Sequence, residues 1–228
     1  MKIWLALITG ILIAVNLLAI YYLDPFIDRW FRFLTTAIFL LIFLFKSVKS
    51  YQLLAVFALL VICDGLLVFY EMPVVKYFVY IVRILAYLNL ILLLMPKLSK
   101  LKFNLITIVI ACFIVAIDLY VLHVMAETLP GSHQNTLFIS LFYLLGILSL
   151  ALAAASLSYL NRYADGKGFY LVIVSLGFVL SDIFYYNAHY LQFTEFFYLD
   201  RLANIIGVAF LLAFAINSKN SKKSAVIN

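Results

Sequence analysis

The sequence predicts an all-α integral membrane protein, a bundle of about eight transmembrane helices, and three observations carry that prediction. Hydrophobic residues make up 68% of the 228-residue chain and charged residues 11%, against about 45–50% and 25% in an average soluble domain. The mean hydropathy is +1.16. Apolar runs recur between short polar breaks, each near the roughly 20 residues that cross a hydrocarbon core about 30 Å thick. A water-soluble fold could not hide this much apolar surface, so lipid is the solvent for most of the chain. The same numbers exclude disorder, a coiled coil and a secreted disulfide scaffold. Cys63 and Cys112 sit inside apolar runs, where they read as small buried hydrophobes. The net charge of +6 is dispersed over short connections, a pattern that orients membrane proteins, and no nucleic-acid partner is expected.

Residues 1–217 read as one polytopic domain. Helix one (3–23) is flanked by Trp4, Tyr21 and Tyr22, as interfacial anchors should be, and stops at Asp24-Pro25. Its start imitates a signal peptide, but no small-x-small cleavage site precedes Asp24 and seven spans follow, so an uncleaved helix is expected. Helix two (31–45) is short, with Trp30 at its mouth and a start that can slide back through it. Lys46 to Ser50 separate it from helix three (51–71), which opens on Tyr51. Met72-Pro73 breaks the chain before helix four (75–95), and Pro96-Lys97 before helix five (103–125). Ala126 to Thr136 form the longest polar loop. Helix six (137–161) ends before Asp165-Gly166-Lys167-Gly168, and helices seven (169–190) and eight (196–216) follow. Residues 218–228 form a short basic tail.

Lysine and arginine set the orientation. One side holds eleven: Lys2, Lys46, Lys49, Lys97, Lys100, Lys102, Arg162, Lys167, Lys219, Lys222 and Lys223. The other holds four, Arg29, Arg32, Lys76 and Arg201. Both termini are therefore expected in the cytoplasm, with the loop 126–136 facing out.

An ionisable side chain at the bilayer centre costs something like 2.5–3.5 kcal/mol, so each one needs a reason. Asp64, Arg83, Asp118 and Asp182 are the four clear cases. Helices three, five and seven run the same way. Asp64 lies 13 residues after Tyr51, Asp118 15 after Phe103 and Asp182 13 after Phe169. At about 1.5 Å per residue, all three sit roughly 20 Å from the inner surface. Arg83, on an antiparallel helix, and Asn16 fall in the same layer. Asp182, Tyr186 and His189 share a helix face by their i, i+4, i+7 spacing, as do Asp64 and Glu71. Arg201 and Asn204 lie an i, i+3 step apart near the outer end of helix eight. Arg32, Thr35 and Thr36 open helix two at that side, and His123 closes helix five. Together these residues predict a polar pocket in the outer half of the bundle. The alternative is structural: Arg83 pairs with one aspartate, and the others bond to tyrosines and hold helices together. His133 and His189 are expected near the surface. No His-x-x-x-His or Cys-x-x-Cys spacing, Gly-x-Ser-x-Gly elbow, P-loop or dinucleotide fingerprint is present, so neither metal nor cofactor is expected.

In helix order and in a few short segments the chain resembles the YhhN-type lysoplasmalogenase family. Val61-Ile62-Cys63-Asp64-Gly65-Leu66-Leu67 is similar to that family's Gly-Asp-x-Leu-Leu stretch. Leu176-Gly177-Phe178-Val179-Leu180-Ser181-Asp182, followed by Asn187, is similar to its helix-seven pattern. Arg32-Phe33-Leu34-Thr35 echoes its Lys-Pro-Leu-Thr. The chain departs from the family at Cys63, where a glycine is usual. It departs again at Tyr87-Leu88-Asn89, where a histidine is usual, and at Ile206-Gly207-Val208, where Gln or His is expected.

The resemblance implies hydrolysis of the vinyl-ether bond of a lysoplasmalogen in a bacterial inner membrane, releasing a fatty aldehyde. Vinyl ethers hydrolyse by protonation at carbon and attack of water on the resulting oxocarbenium-like cation. Two carboxyls can divide that labour, one as acid, the other stabilising the cation and activating water. Burial favours the neutral form of a carboxyl, as the acid requires. On this reading Asp64 and Asp182 are the acid/base pair, and Arg83, with Arg201, holds the head group. Asp118, Asn187 and Asn204 complete the substrate site, and a membrane lipid is the partner. The rival is a non-catalytic membrane protein that binds lipid, transports or serves as a complex subunit. A transporter would be expected to carry Gly/Pro-broken helices at mid-membrane, and only Gly65, Gly146, Gly177 and Gly207 lie within spans.

Overall fold

In the computed structural model the chain is a bundle of helices joined by tight connections. The structure describes residues 3–46, 50–98, 116, 119–129, 135–163 and 166–227, with the side chains of 97, 98 and 219–227 left undescribed. The helices are α1 (Ile3–Tyr22), α2 (Pro25–Phe45), α3 (Tyr51–Val68), α4 (Pro73–Leu98), α5 (119–127), α6 (Thr136–Tyr163), α7 (Gly166–Tyr190) and α8 (Phe196–Ile227). Among the described residues there is no strand. Six helices (α1, α3, α4, α6, α7 and α8) are long and apolar enough to cross a membrane. At 21 residues α2 is as long as α1, but Asp28, Arg29 and Arg32 crowd its first eight residues.

Local chemistry sets several ends. Pro25 starts α2, where its fixed φ suits a helix and its missing N–H costs nothing. Ser50 caps α3 by accepting from the Leu53 amide at 3.4 Å. Between α7 and α8 the chain reverses through Gln192, whose φ of 61° is the left-handed conformation of a tight turn. Helix two therefore begins six residues earlier than position 31, which puts Asp28, Arg29 and Arg32 inside it. Helix three stops at Val68 rather than 71, so Asp64 and Glu71 do not share a helical face. Helix eight runs on through Ile227, well past 216.

The central element is α8, packed against α1, α2 and α7, with α7–α8 the most extensive contact. From Ala203 to Ile216 nearly every α8 side chain is buried, as expected of a helix that is apolar all round. The rest follows the chain: α1 on α2, α2 on α3, α3 on α4, α4 on α6, α6 on α7. One large apolar core, including Phe39, Phe57, Leu90, Phe178 and Leu212, links these helices. α1 turns Ile3, Leu7, Ile11 and Leu18 outward, an apolar face that suits lipid.

Candidate functional site

The side chains that matter are three arginine–carboxylate networks joining helices that lie far apart in sequence. The first is centred on Arg32. Because α2 and α3 run antiparallel, Arg29, Arg32 and Thr36 meet Glu71 and Asp64 in turn. Arg29 Nη2 donates to Glu71 Oε1 at 2.6 Å. Arg32 Nε donates to Asp64 Oδ1 at 2.9 Å, and the Thr36 hydroxyl to Asp64 Oδ2 at 2.5 Å. Arg32 Nη1 continues to Asp200 Oδ2 of α8 at 2.5 Å, while the Ser181 hydroxyl of α7 donates to the other Asp200 oxygen. One guanidinium thus ties α2, α3 and α8, and Asp64 and Asp200 are both sealed from solvent. Glu71 lies beyond α3 and is 70% exposed. The hydrogen bond from Arg29 holds its carboxyl below the usual range, against a smaller upward push from partial burial.

The second network joins α8, α2 and α1. Arg201 Nη2 donates to Asp28 Oδ2 at 2.6 Å, and Nη1 to Asn16 Oδ1 at 3.3 Å. Asn16 Nδ2 in turn donates to the Thr35 hydroxyl at 2.7 Å.

The third faces a cavity. Arg83 of α4 donates through Nε to Asp182 Oδ1 of α7 at 3.1 Å, and Nη2 lies 2.9 Å from the same oxygen. The Tyr87 hydroxyl, one turn along α4, donates to Asp182 Oδ2. The Tyr87 and Phe178 rings stack with the guanidinium 5.3 and 5.2 Å from their centroids. Asp182 and Arg83 line a cavity of about 160 Å³, shared with Tyr70, Tyr80, Tyr185, Tyr186 and otherwise mostly apolar residues. The Asp182 side chain is 27% exposed, and it is the one carboxylate on that wall among the described residues.

A second cavity, of about 280 Å³, lies at the end of the bundle where α1 meets α2 and α7 meets α8. Asp28, Arg29, Arg32, Tyr185 and Arg201 line it. Arg32, Leu67 and Tyr185 border both cavities and form the partition between them.

Of the residues singled out in the sequence, Arg83 and Asp182 are brought together at a cavity. Asp64 is not brought to them: it is paired with Arg32 and Thr36 and lines neither cavity. Arg201 pairs with Asp28 and lines the second cavity. Asn204 is buried with its carbonyl oxygen unpartnered among the described residues. Asn187 is half-buried and lines neither cavity. Asp118 and His133 lie outside the described residues. His123 bonds the Tyr143 hydroxyl and sits near Glu127, at an exposed position. Among the described residues no group of three His, Cys, Asp or Glu side chains is placed to hold a metal ion.

Sequence reasoning missed Asp28 and Asp200, the bond of Ser181 to Asp200 and the role of Tyr87. Arg29, Arg32 and Arg201 enter the outer charge tally, with Arg32 and Arg201 also expected at the pocket; all three are buried and ion-paired. The available signal was the Asp28/Arg32 i, i+4 spacing, together with Asp200-Arg201 opening an otherwise apolar helix.

The fold and these networks define a multi-pass helical membrane protein with charges paired inside the bundle and a tyrosine-lined cavity between its helices. No family model, no curated protein and no solved structure matches the chain.

Proposed function

We propose that the chain is a lysoplasmalogenase-like hydrolase of ether lysolipids, with Asp182 as its acid/base. The observation that carries this reading is the placement of Asp182, a partly open carboxylate held by Arg83 and Tyr87 on the wall of an otherwise mostly apolar cavity. In the proposed reaction Asp182, in its protonated form, gives its proton to the β-carbon of the vinyl ether. Arg83 compensates the carboxylate left behind. Water then adds to the oxocarbenium carbon and returns a proton to Asp182, and the hemiacetal collapses to aldehyde and alcohol. Asp64 takes no direct part; it positions Arg32, a wall of the cavity. The resemblance expects a histidine in the stretch where this chain has Tyr87, and the Tyr87 hydroxyl meets the carboxyl here.

A second reading, a lipid-binding protein without catalysis, is favoured by the engagement of both Asp182 oxygens and the sealing of Asp64 away from the cavity.

For orientation, pairing removes Arg29, Arg32 and Arg201 from the outer tally and leaves Lys76, which strengthens the positive-inside bias. We place both termini in the cytoplasm of a bacterial inner membrane.

The deciding experiment offers the purified, detergent-solubilised protein a panel of lysolipids, including a vinyl-ether lysolipid, and follows products by mass spectrometry. Aldehyde release is expected, falling by at least about 100-fold in Asp182→Asn. A folded wild-type protein that turns over no lipid overturns the hydrolase reading and leaves the binding one.

A further inference from the structure

We propose that the second cavity is a binding site for a phosphate-type anion, held by Arg29 and Arg201 with the Tyr185 hydroxyl.

The charges on its wall are three arginines against one acid, Asp28. Two carboxylates that answer Arg32, Asp64 and Asp200, do not line the cavity. Arg201 is 2% exposed, yet its Nε has no partner among the described residues, and neither has the Tyr185 hydroxyl. Two buried donors on the wall of one cavity lack acceptors, and the single unpartnered acceptor there, Asp28 Oδ1, belongs to a carboxylate whose other oxygen is already bound by Arg201. A buried unpaired donor is costly, and an incoming anion would satisfy both donors. Arg29 adds a replaceable contact. Its partner Glu71 is 70% exposed and returns to water easily, so an incoming anion can take its place.

The space fits as well. A water needs about 10–15 Å³ of such volume, so about 280 Å³ holds a phosphate group with room to spare. The rim is formed by exposed residues of two connections, Leu23 and Pro25 on one side and Thr194 on the other, so the anion enters from the end of the bundle. Only the partition of Arg32, Leu67 and Tyr185 separates it from the cavity that holds Asp182. The ligand class is a phosphate or phosphodiester, supplied by a lipid head group or by a soluble phosphate. The site is independent of the chemistry at Asp182, and ester lipids, which carry no vinyl ether, test it separately.

The test measures binding to purified protein in an uncharged detergent, using monopalmitoyl lysophosphatidylethanolamine, monopalmitoylglycerol and inorganic phosphate. The lysophospholipid should bind more tightly than the neutral lipid of the same chain. Arg29→Gln should cost it about tenfold in affinity, one charge-assisted hydrogen bond, and leave monopalmitoylglycerol within about twofold, which also reports that the variant is folded. Glu71→Gln, which removes the competitor for Arg29, should tighten lysophospholipid binding about threefold. Arg201→Lys keeps a cation beside Asp28 but removes Nε, and should weaken it too. If inorganic phosphate binds and loses affinity in Arg29→Gln while the two lipids bind alike, the anion site stands and its source is soluble. If neither phosphate nor the phospholipid responds to Arg29→Gln and Glu71→Gln, the proposal is wrong.

Discussion

At the scale of single residues, the determining fact is that each buried arginine has an assigned carboxylate. A buried ion pair adds little net stability, but removing one partner strands the other, at about 3–5 kcal/mol. Arg32→Met leaves Asp64 and Asp200 facing each other without a cation and should destabilise the protein by about that much. Replacing all three with apolar residues (Arg32→Met, Asp64→Leu, Asp200→Leu) should recover most of the loss, as read from unfolding in a denaturing detergent. Glu71→Gln, by contrast, should move stability by no more than about 1 kcal/mol, because its carboxyl is exposed. Glu71 also gives a pH dependence of definite sign. Its carboxyl is held low by Arg29, so the bond is complete above the ordinary carboxylate value near 4.3 and is lost as pH falls through the depressed one. Acid, not base, frees Arg29. Lysophospholipid binding should therefore tighten as pH falls through that depressed value, and Glu71→Gln should flatten that profile. Asp64, Arg83 and Asp182 were legible in the sequence because a charge inside an apolar run must be answered by a partner or a site. Asp28 and Asp200 were not, because a charge within a few residues of a helix end is expected to reach water. Only the folded contacts show that these two do not.

At the scale of elements, the α7–α8 crossing depends on two glycines. A Cβ on Gly177 would stand 2.9 Å from the Ala203 carbonyl oxygen and 3.0 Å from Gly207 Cα, both backbone atoms that cannot step aside. Close approach of backbones at small residues is how helices associate in lipid. Gly177→Ala should cost about 1–3 kcal/mol by overpacking. Gly10→Ala, where nothing lies within 4 Å, should be neutral or stabilising by up to about 1 kcal/mol. The sequence placed both glycines within spans, and α7 runs unbroken through Gly177; the glycines serve contact rather than bending. Helix positions were legible because runs of apolar residues between prolines, glycines and charges are unambiguous. The start of α2 was not, since the charges that appear to end the apolar run are satisfied by α3 and α8, information that no local window contains.

At the scale of the whole molecule, the networks and the two cavities lie toward the end of the bundle where α1 joins α2, α3 joins α4 and α7 joins α8. Lys46, Arg162 and Lys167 fall at connections of opposite parity. In the proposed orientation, a cysteine at Thr194 should be labelled only from outside the cell and one at Lys46 only from inside, in a background lacking Cys63 and Cys112. Reversed labelling would invert the topology and turn the second cavity toward the cytoplasm. The shared level of the buried charges was legible as a depth along the helices, but their division into three separate networks was not. Depth fixes one coordinate of a side chain, and pairing depends on which helices are neighbours.

The bond between Arg32 and Asp200 spans 168 residues, and that distance is also a delay. At the usual pace of about 5–20 residues per second, α2 leaves the ribosome roughly 10–30 s before the carboxylate that completes its pairing exists. During that interval α2 must rest on Asp64 alone, on water at the membrane surface, or on the insertion machinery, since an arginine left in hydrocarbon costs about 2.5–3.5 kcal/mol. Pairing is therefore completed only when α8 arrives: a chain cut short before Phe196 leaves Arg32 with one of its two carboxylates and Asp28 without its ion-pair partner, a mark that membrane quality control can read.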